Sequence, residues 1–169
     1  MNVSVEKMNE KIATEIVGWK YTAPYDFYNN EQSDESIKEL LEGSYYALVN
    51  QNKEIVGFFC IGTSAQVPAG NQYEVYKKDF VDMGLGMNPK LIGHGNGFRF
   101  CKIVLTYIEV NYKDIPIRLT VAKFNERAIH LYKKLGFVKQ NEFNTDYAEF
   151  ITMVKTNCAH CVRNDSELS

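Results

Sequence analysis

The chain has 169 residues, of which 45% are hydrophobic, 24% charged and 13% aromatic, with a formal net charge of −2. That length suits one domain with a sizeable core, and the composition is too apolar and too aromatic for a disordered chain. The nearly balanced charge speaks against a general nucleic-acid binder, and no apolar run approaches the roughly 18–20 residues that span a bilayer. The opening stretch MNVSVEKMNEKIATEIVGW lacks the apolar centre of a signal peptide, so a cytoplasmic location is expected. Cys60 and Cys101 sit in apolar runs and read as small core residues. Cys158 and Cys161, with His160 between them, form one CxxC. That is half of a usual zinc site, so no metal is expected and the pair reads as two exposed thiols. The expected organisation is one domain over residues 1–155 and a C-terminal tail over 156–169.

Residues 3–5 can form a short edge strand. Asn9 can cap a helix over 10–19, with Ile12, Ile16 and Trp19 on one face. The aromatic stretch YTAPYDFYNN follows, and Pro24 breaks any helix there. Ser33 or Asp34 caps a second helix that Gly43 ends. SYYALVN and EIVGFFCIG read as antiparallel strands joined by a tight turn. After the polar loop TSAQVPAGNQYEVYKKD comes FVDMGLGM, a strand with Val81, Met83, Leu85 and Met87 on one face. Its other face carries Asp82, Gly84 and Gly86, small or polar, which suggests an open face that lets something approach the backbone. FRFCKIVLTYIEV is an amphipathic helix, IRLTV a strand, and ERAIHLYKKL a helix opened by Asn125 and closed by Gly136. FVKQNEF and YAEFITMV make a final hairpin. The order β α α β β β α β α β β predicts an α/β chain, antiparallel at first, with one βαβ crossover.

Five of the 11 glycines (Gly84, Gly86, Gly93, Gly95 and Gly97) fall within fourteen positions of one strand–loop–helix unit, VDMGLGMNPKLIGHGNGFRF. A helix N-terminus leaves backbone N–H groups unpaired and carries positive partial charge. Glycines let a chain turn there without side chains in front of those amides, so the unit suits a phosphate or pyrophosphate. A turn needed only for packing is the competing reading. A Walker A loop would need GK[ST] where this chain has GFRF. A dinucleotide site of the GxGxxG type would need an acid on the next strand, and IRLTV has none.

Two stretches carry a more specific signal. NPKLIGHGNGFRF resembles the acyl-CoA-binding motif of the GNAT acetyltransferase superfamily, usually [QR]xxGxG[AG]. AKFNERAIHLYKKLGF resembles its second signature, NxxAxxxYxxxGF, through Asn125, Ala128, Tyr132, Gly136 and Phe137. The interval fits as well, and the resemblance covers about residues 3–155. The early WKYTAPYDFYN and the middle VDMGLGMNPKL are similar to a subgroup of small bacterial GNAT proteins without a well-defined acceptor.

The resemblance implies a GNAT fold, a mixed and mostly antiparallel sheet of about seven strands flanked by about four helices. It implies acetyl-CoA as co-substrate, its arm entering where the fourth and fifth strands splay. Backbone groups of Leu85, Gly86 and Met87 would bind the pantetheine, and the amides of Gly93, His94, Gly95, Asn96, Gly97 and Phe98 the pyrophosphate. Asn125 would bond the pantetheine, and Tyr132 would protonate the departing thiolate. The implied reaction is direct attack by an amine on the acetyl carbonyl, with a strand amide near Met87 stabilising the oxyanion. Asp82 is the candidate base, with a structural carboxylate as the alternative. Ile92 stands where the motif has Gln or Arg, and Thr120 stands where several members carry a catalytic glutamate, so these two contacts are missing. Glu126 reads as a helix N-terminal charge, and Lys90, Arg99 and Lys133 as solvated surface charges.

The acceptor would be an amine of a small molecule or peptide, with no nucleic acid or membrane partner; a homodimer is compatible with this reading. Trp19, Tyr21, Tyr25, Phe27 and Tyr28 form either an aromatic acceptor pocket or core. A domain that binds CoA without turnover is the first alternative function, and a nucleotide or phosphate binder the second.

Overall fold

The computed structural model describes residues 2–156. Cys158, His160 and Cys161 of the expected tail lie outside the described residues. In chain order the elements are β1 (Val3–Lys7), α1 (Glu10–Val17), α2 (Asp34–Glu42), β2 (Tyr45–Asn50), β3 (Ile55–Ile61), β4 (Val81–Met87), α3 (Asn96–Asn111), β5 (Ile117–Ala122), α4 (Glu126–Lys134), β6 (Val138–Asn144) and β7 (Glu149–Lys155). Each expected strand and helix is present in the expected order. The loop before β4 also winds into short 3-10 turns at Gly62–Ala65 and Pro68–Tyr73. Contacts divide the chain into two compact units: the residues up to Ser64 with Leu85–Phe100, and Ala65–Gly84 with the residues from Cys101 onward. β4 belongs to both, which gives the strand order β1-β2-β3-β4-β5-β7-β6.

In the first unit β1 pairs antiparallel with β2, from Val3 opposite Asn50 to Lys7 opposite Tyr46. β2 pairs antiparallel with β3 across an irregularity at Leu48/Val49. Asn9 caps α1 by accepting the Ile12 N–H at 2.9 Å, and Ser33 caps α2 by accepting the Ser36 N–H at 3.2 Å. The apolar stripe of α1 (Ile12, Ala13, Ile16, Val17) packs with Trp19, Leu40, Ala47, Val49 and Ile55 into one core. Each large side chain so buried contributes roughly 1.5–3 kcal/mol. Two glycines matter here through packing. A Cβ on Gly57 would lie 2.4 Å from the Phe100 ring, and one on Gly86 2.4 Å from the Phe58 ring. The bare position at Gly86 therefore receives a phenyl ring, where the alternating pattern had suggested an open face.

In the second unit β4 runs parallel to β5 through three pairs: Val81–Ile117, Asp82–Arg118 and Met83–Leu119. That ladder ends there, although β4 continues to Met87. β5 pairs antiparallel with β7, and β7 with β6. Asn125 caps α4 by accepting the Ala128 N–H at 3.2 Å, and Gly136, at φ +97°, turns the chain out of the helix. Val75, Ala122, Phe143 and Phe150 form a local core.

Gly57→Ala places its methyl against the Phe100 ring and 2.7 Å from the Gly86 carbonyl oxygen. Backbone cannot swing aside as a side-chain tip can, so this variant should lose about 1–3 kcal/mol of stability. A urea midpoint equal to that of the parent would refute the close approach.

Candidate active site

The first unit carries the glycine loop. Gly93 and Gly95 have φ of +86° and +74°, a region L-residues rarely adopt, and no atom lies within 4 Å of a Cβ built on either. Both requirements of an anion cradle are met at these positions: a backbone only glycine adopts comfortably, and open space before it. The loop feeds directly into α3, which begins at Asn96, two residues earlier than the sequence suggested. The first amides of α3 belong to Asn96, Gly97 and Phe98, in the turn where helical N–H groups point out along the axis. The Asn96 side-chain amide donates to the Leu91 carbonyl at 3.2 Å and so closes the loop on itself. Gly93, His94 and Gly95 are exposed.

The strand before the loop is held by Asn88. Its backbone N–H donates to Val56 O at 2.9 Å and its side-chain amide to Ile55 O at 2.9 Å, while its Oδ1 accepts the Lys90 N–H. Backbone groups alternate along a strand. With Asn88 bonded to β3 and the Gly86 carbonyl beside Gly57, the polar groups of Leu85 and Met87 point away from β3. The Met87 carbonyl accepts a hydrogen bond from the Tyr21 hydroxyl at 2.9 Å. Nothing in the sequence pattern singled out that contact, which joins residues 66 positions apart. Burial pushes the Tyr21 phenol up to about 12. The aromatic stretch divides: Trp19 is core, Tyr21 reaches Met87, and Phe27 and Tyr28 remain 43% and 38% exposed as an edge-to-face pair 5.2 Å apart.

The second unit places Asp82 in a buried ion pair. Its carboxylate is 3% exposed and takes a two-pronged grip from Arg118, Nε to Oδ1 at 2.6 Å and Nη2 to Oδ2 at 2.8 Å. The Gln66 side-chain amide donates to Oδ2 as well, at 2.8 Å. Arg118 is 1% exposed, donates a further bond to Val75 O, and lies between the rings of Tyr76 and Phe80 at 5.1 and 5.3 Å. A carboxylate gripped at both oxygens by a buried guanidinium has its lone pairs engaged. Of the two readings of Asp82, this geometry favours the structural carboxylate over the base. The one charged residue inside IRLTV, opposite an acid in the preceding apolar strand, was the available signal for this pair.

Thr120, at the position of the missing glutamate, shares a 2.7 Å hydrogen bond with the Tyr76 hydroxyl. That hydroxyl also accepts the Val67 N–H at 3.0 Å, and burial raises its pKa above the ordinary tyrosine value. On α4, the Asn125 side-chain oxygen is used as the helix cap. Tyr132 is buried, with its ring edge-to-face on Phe137 at 5.9 Å. Among the described residues no group of three or more His, Cys, Asp or Glu side chains could hold a metal ion. No described helix is long and apolar enough to cross a membrane.

Removing one partner of a buried ion pair strands the other charge, at a cost of about 3–5 kcal/mol. Arg118→Ala should fall in that range by chemical denaturation. Asp82→Leu combined with Arg118→Met should recover most of it, since the double variant leaves no orphan charge. A double variant as unstable as the sum of the two single changes would refute the pairing.

The acetyltransferase (GNAT) family model matches residues 12–137. Several solved structures share the fold. A chimera of the spermidine N-acetyltransferase SpeG from Vibrio cholerae and hSSAT is 18% identical, with a TM-score of 0.67 over 92% of this chain and 96% of that one. SpeG from Vibrio cholerae in complex with manganese ions is 16% identical, with a TM-score of 0.65 over 96% of each chain. A GNAT-family acetyltransferase from Bacillus anthracis is 11% identical, with a TM-score of 0.71 over 92% of this chain and 95% of that one. No curated protein matches. With the family match spanning most of the chain, and β4, the glycine loop and α3 in the arrangement described above, the chain belongs to the GNAT acetyltransferase family.

Proposed function

We propose that the protein transfers an acetyl group from acetyl-CoA to a primary amine of a small molecule or peptide by direct attack. The observation that carries this reading is the open, positive-φ loop at Gly93 and Gly95 running into the N-terminus of α3. Amides from Gly93 to Phe98 would hold the pyrophosphate, with the helix end supplying positive potential. The outward polar groups of Leu85 and Met87 would receive the pantetheine arm, which would pass along the strand over Gly86 between them, and Asn125 would add a contact from the start of α4. The amine nitrogen attacks the carbonyl carbon, the carbon–sulfur bond breaks, and the Tyr132 phenol gives its proton to the departing thiolate before reprotonating from solvent. A strand amide near Met87 would stabilise the oxyanion. With Asp82 bound to Arg118 and Thr120 to Tyr76, the ammonium proton of the acceptor leaves to water.

The exposed faces of Phe27 and Tyr28 suit an alkylammonium acceptor. Structures that resemble this fold carry the name spermidine N-acetyltransferase, so polyamines head the acceptor panel, followed by amino acids, aminoglycosides and peptide N-termini. A domain that binds CoA without turnover is the second reading, favoured by the same absence of a carboxylate at Thr120. Free-thiol release across that panel separates the two. Acetyl-CoA binding with no turnover on any amine would decide for the second reading.

Tyr132→Phe should lower kcat by about 10²-fold and leave acetyl-CoA affinity within two-fold, since a general acid acts in the transition state alone. Undiminished turnover would refute the assigned acid. Without a protein base, log kcat/KM for the amine should rise with unit slope from pH 6.5 to 9. A plateau beginning near pH 7 would reveal a base on the protein.

A further inference from the structure

Tyr21 lies outside both sequence signatures, yet its hydroxyl bonds the carbonyl of Met87. The polar groups of Met87 point away from β3, on the edge of β4 that carries no β5 partner beyond Met83. A strand-like ligand pairing with that residue would use both its N–H and its C=O. Tyr21 already occupies the second of these. The same residue ties a loop together, because its backbone N–H donates to the Asn29 side-chain oxygen at 2.7 Å. Between these two residues lie the 3-10 turn Tyr25–Tyr28 and the exposed Phe27–Tyr28 pair. One side chain thus connects the edge of β4 to the aromatic loop after α1, within the first unit.

We propose that the Tyr21 hydroxyl is a place-holder for an amide N–H of the acyl-CoA arm, and that binding of the arm displaces it from Met87 and releases the 21–29 loop. The inference rests on the acetyl-CoA reading above. Met87 is half-buried, and a carbonyl there left without a donor is costly, so the phenol satisfies it until a better-placed amide arrives. The exchange replaces one hydrogen bond by another at the same oxygen. Its cost falls on the loop, which loses its anchor to β4. The phenol, pushed up by burial, remains protonated and able to donate throughout the working pH range. Acyl-CoA would in this way set the freedom of Phe27 and Tyr28, the side chains proposed to meet the acceptor.

The test joins calorimetry with amide hydrogen exchange on the full chain, parent and Tyr21→Phe, with and without acetyl-CoA. In the parent, acetyl-CoA should speed exchange across residues 21–29, a measurement that needs no variant. Tyr21→Phe should show that faster exchange without ligand, gain nothing further on binding, and bind acetyl-CoA roughly five-fold tighter, the worth of one competing hydrogen bond. Slower exchange of the loop on binding, or an affinity in Tyr21→Phe that is equal or weaker, would overturn the displacement while leaving acetyl-CoA as the ligand. No heat of binding in either protein would overturn the acetyl-CoA reading and the displacement together. Binding by Tyr21→Phe alone would show the place-holder dominating and support it.

Discussion

The buried pair between Asp82 and Arg118 fixes where β4 and β5 are strands of one ladder. The two residues are direct neighbours in the parallel register, and that register ends one residue later at Met83 and Leu119. An unpaired charge at either position would cost several kcal/mol, so neither strand can slip by a residue without stranding one. Gln66, Val75, Tyr76 and Phe80 all contribute to the same cluster. The irregular segment before β4, which has little repetitive structure of its own, is organised around a guanidinium. The end of the β4–β5 ladder is thus marked by an ion pair as well as by apolar packing.

The course of β4 beyond that point depends on close approach rather than on charge. Gly57 and Gly86 each admit a phenyl ring, from Phe100 and Phe58 respectively, and Asn88 ties the strand end to two carbonyls of β3. Next come Gly93 and Gly95, whose role is conformational, since nothing lies near them and their φ values are positive. Glycines that look alike in the sequence therefore serve two purposes, admitting aromatic rings in one case and permitting backbone conformation in the other. Swapping the two kinds would fail for different reasons, one steric and one torsional.

Element order, capping residues and the glycine loop were legible in the sequence because each depends on local signals. Asn9, Ser33 and Asn125 cap the helices they precede, and the side-chain period of the strands is two. The role of Asp82 was not legible. Alternation placed it beside two glycines on one face and suggested that the face was open. Its burial depends on Arg118, 36 positions away, and on Gln66 in an irregular loop. The bond from Tyr21 to Met87 was not legible for the same reason, since its acceptor is a backbone carbonyl and no residue type marks it. Local patterns report which face a side chain takes. They do not report what fills the space in front of it.

Three side chains considered for the chemistry are engaged elsewhere: Asp82 by Arg118, Thr120 by Tyr76, and Tyr21 by Met87. For the proposed reaction this shifts the burden from proton abstraction to placement. An alkylamine with a pKa near 10.4 is neutral about once in a thousand molecules at pH 7.4, which amounts to about 4 kcal/mol. Orienting two reactants in one site is worth roughly 7–11 kcal/mol. Orientation exceeds the deprotonation cost, so a site that holds a thioester along β4 and an amine before it can dispense with a dedicated base. What it cannot dispense with is a rigid strand edge for the thioester, and the residues that provide rigidity (Asn88, Gly57, Gly86 and the Asp82–Arg118 pair) are those to which the sequence commits its most specific contacts.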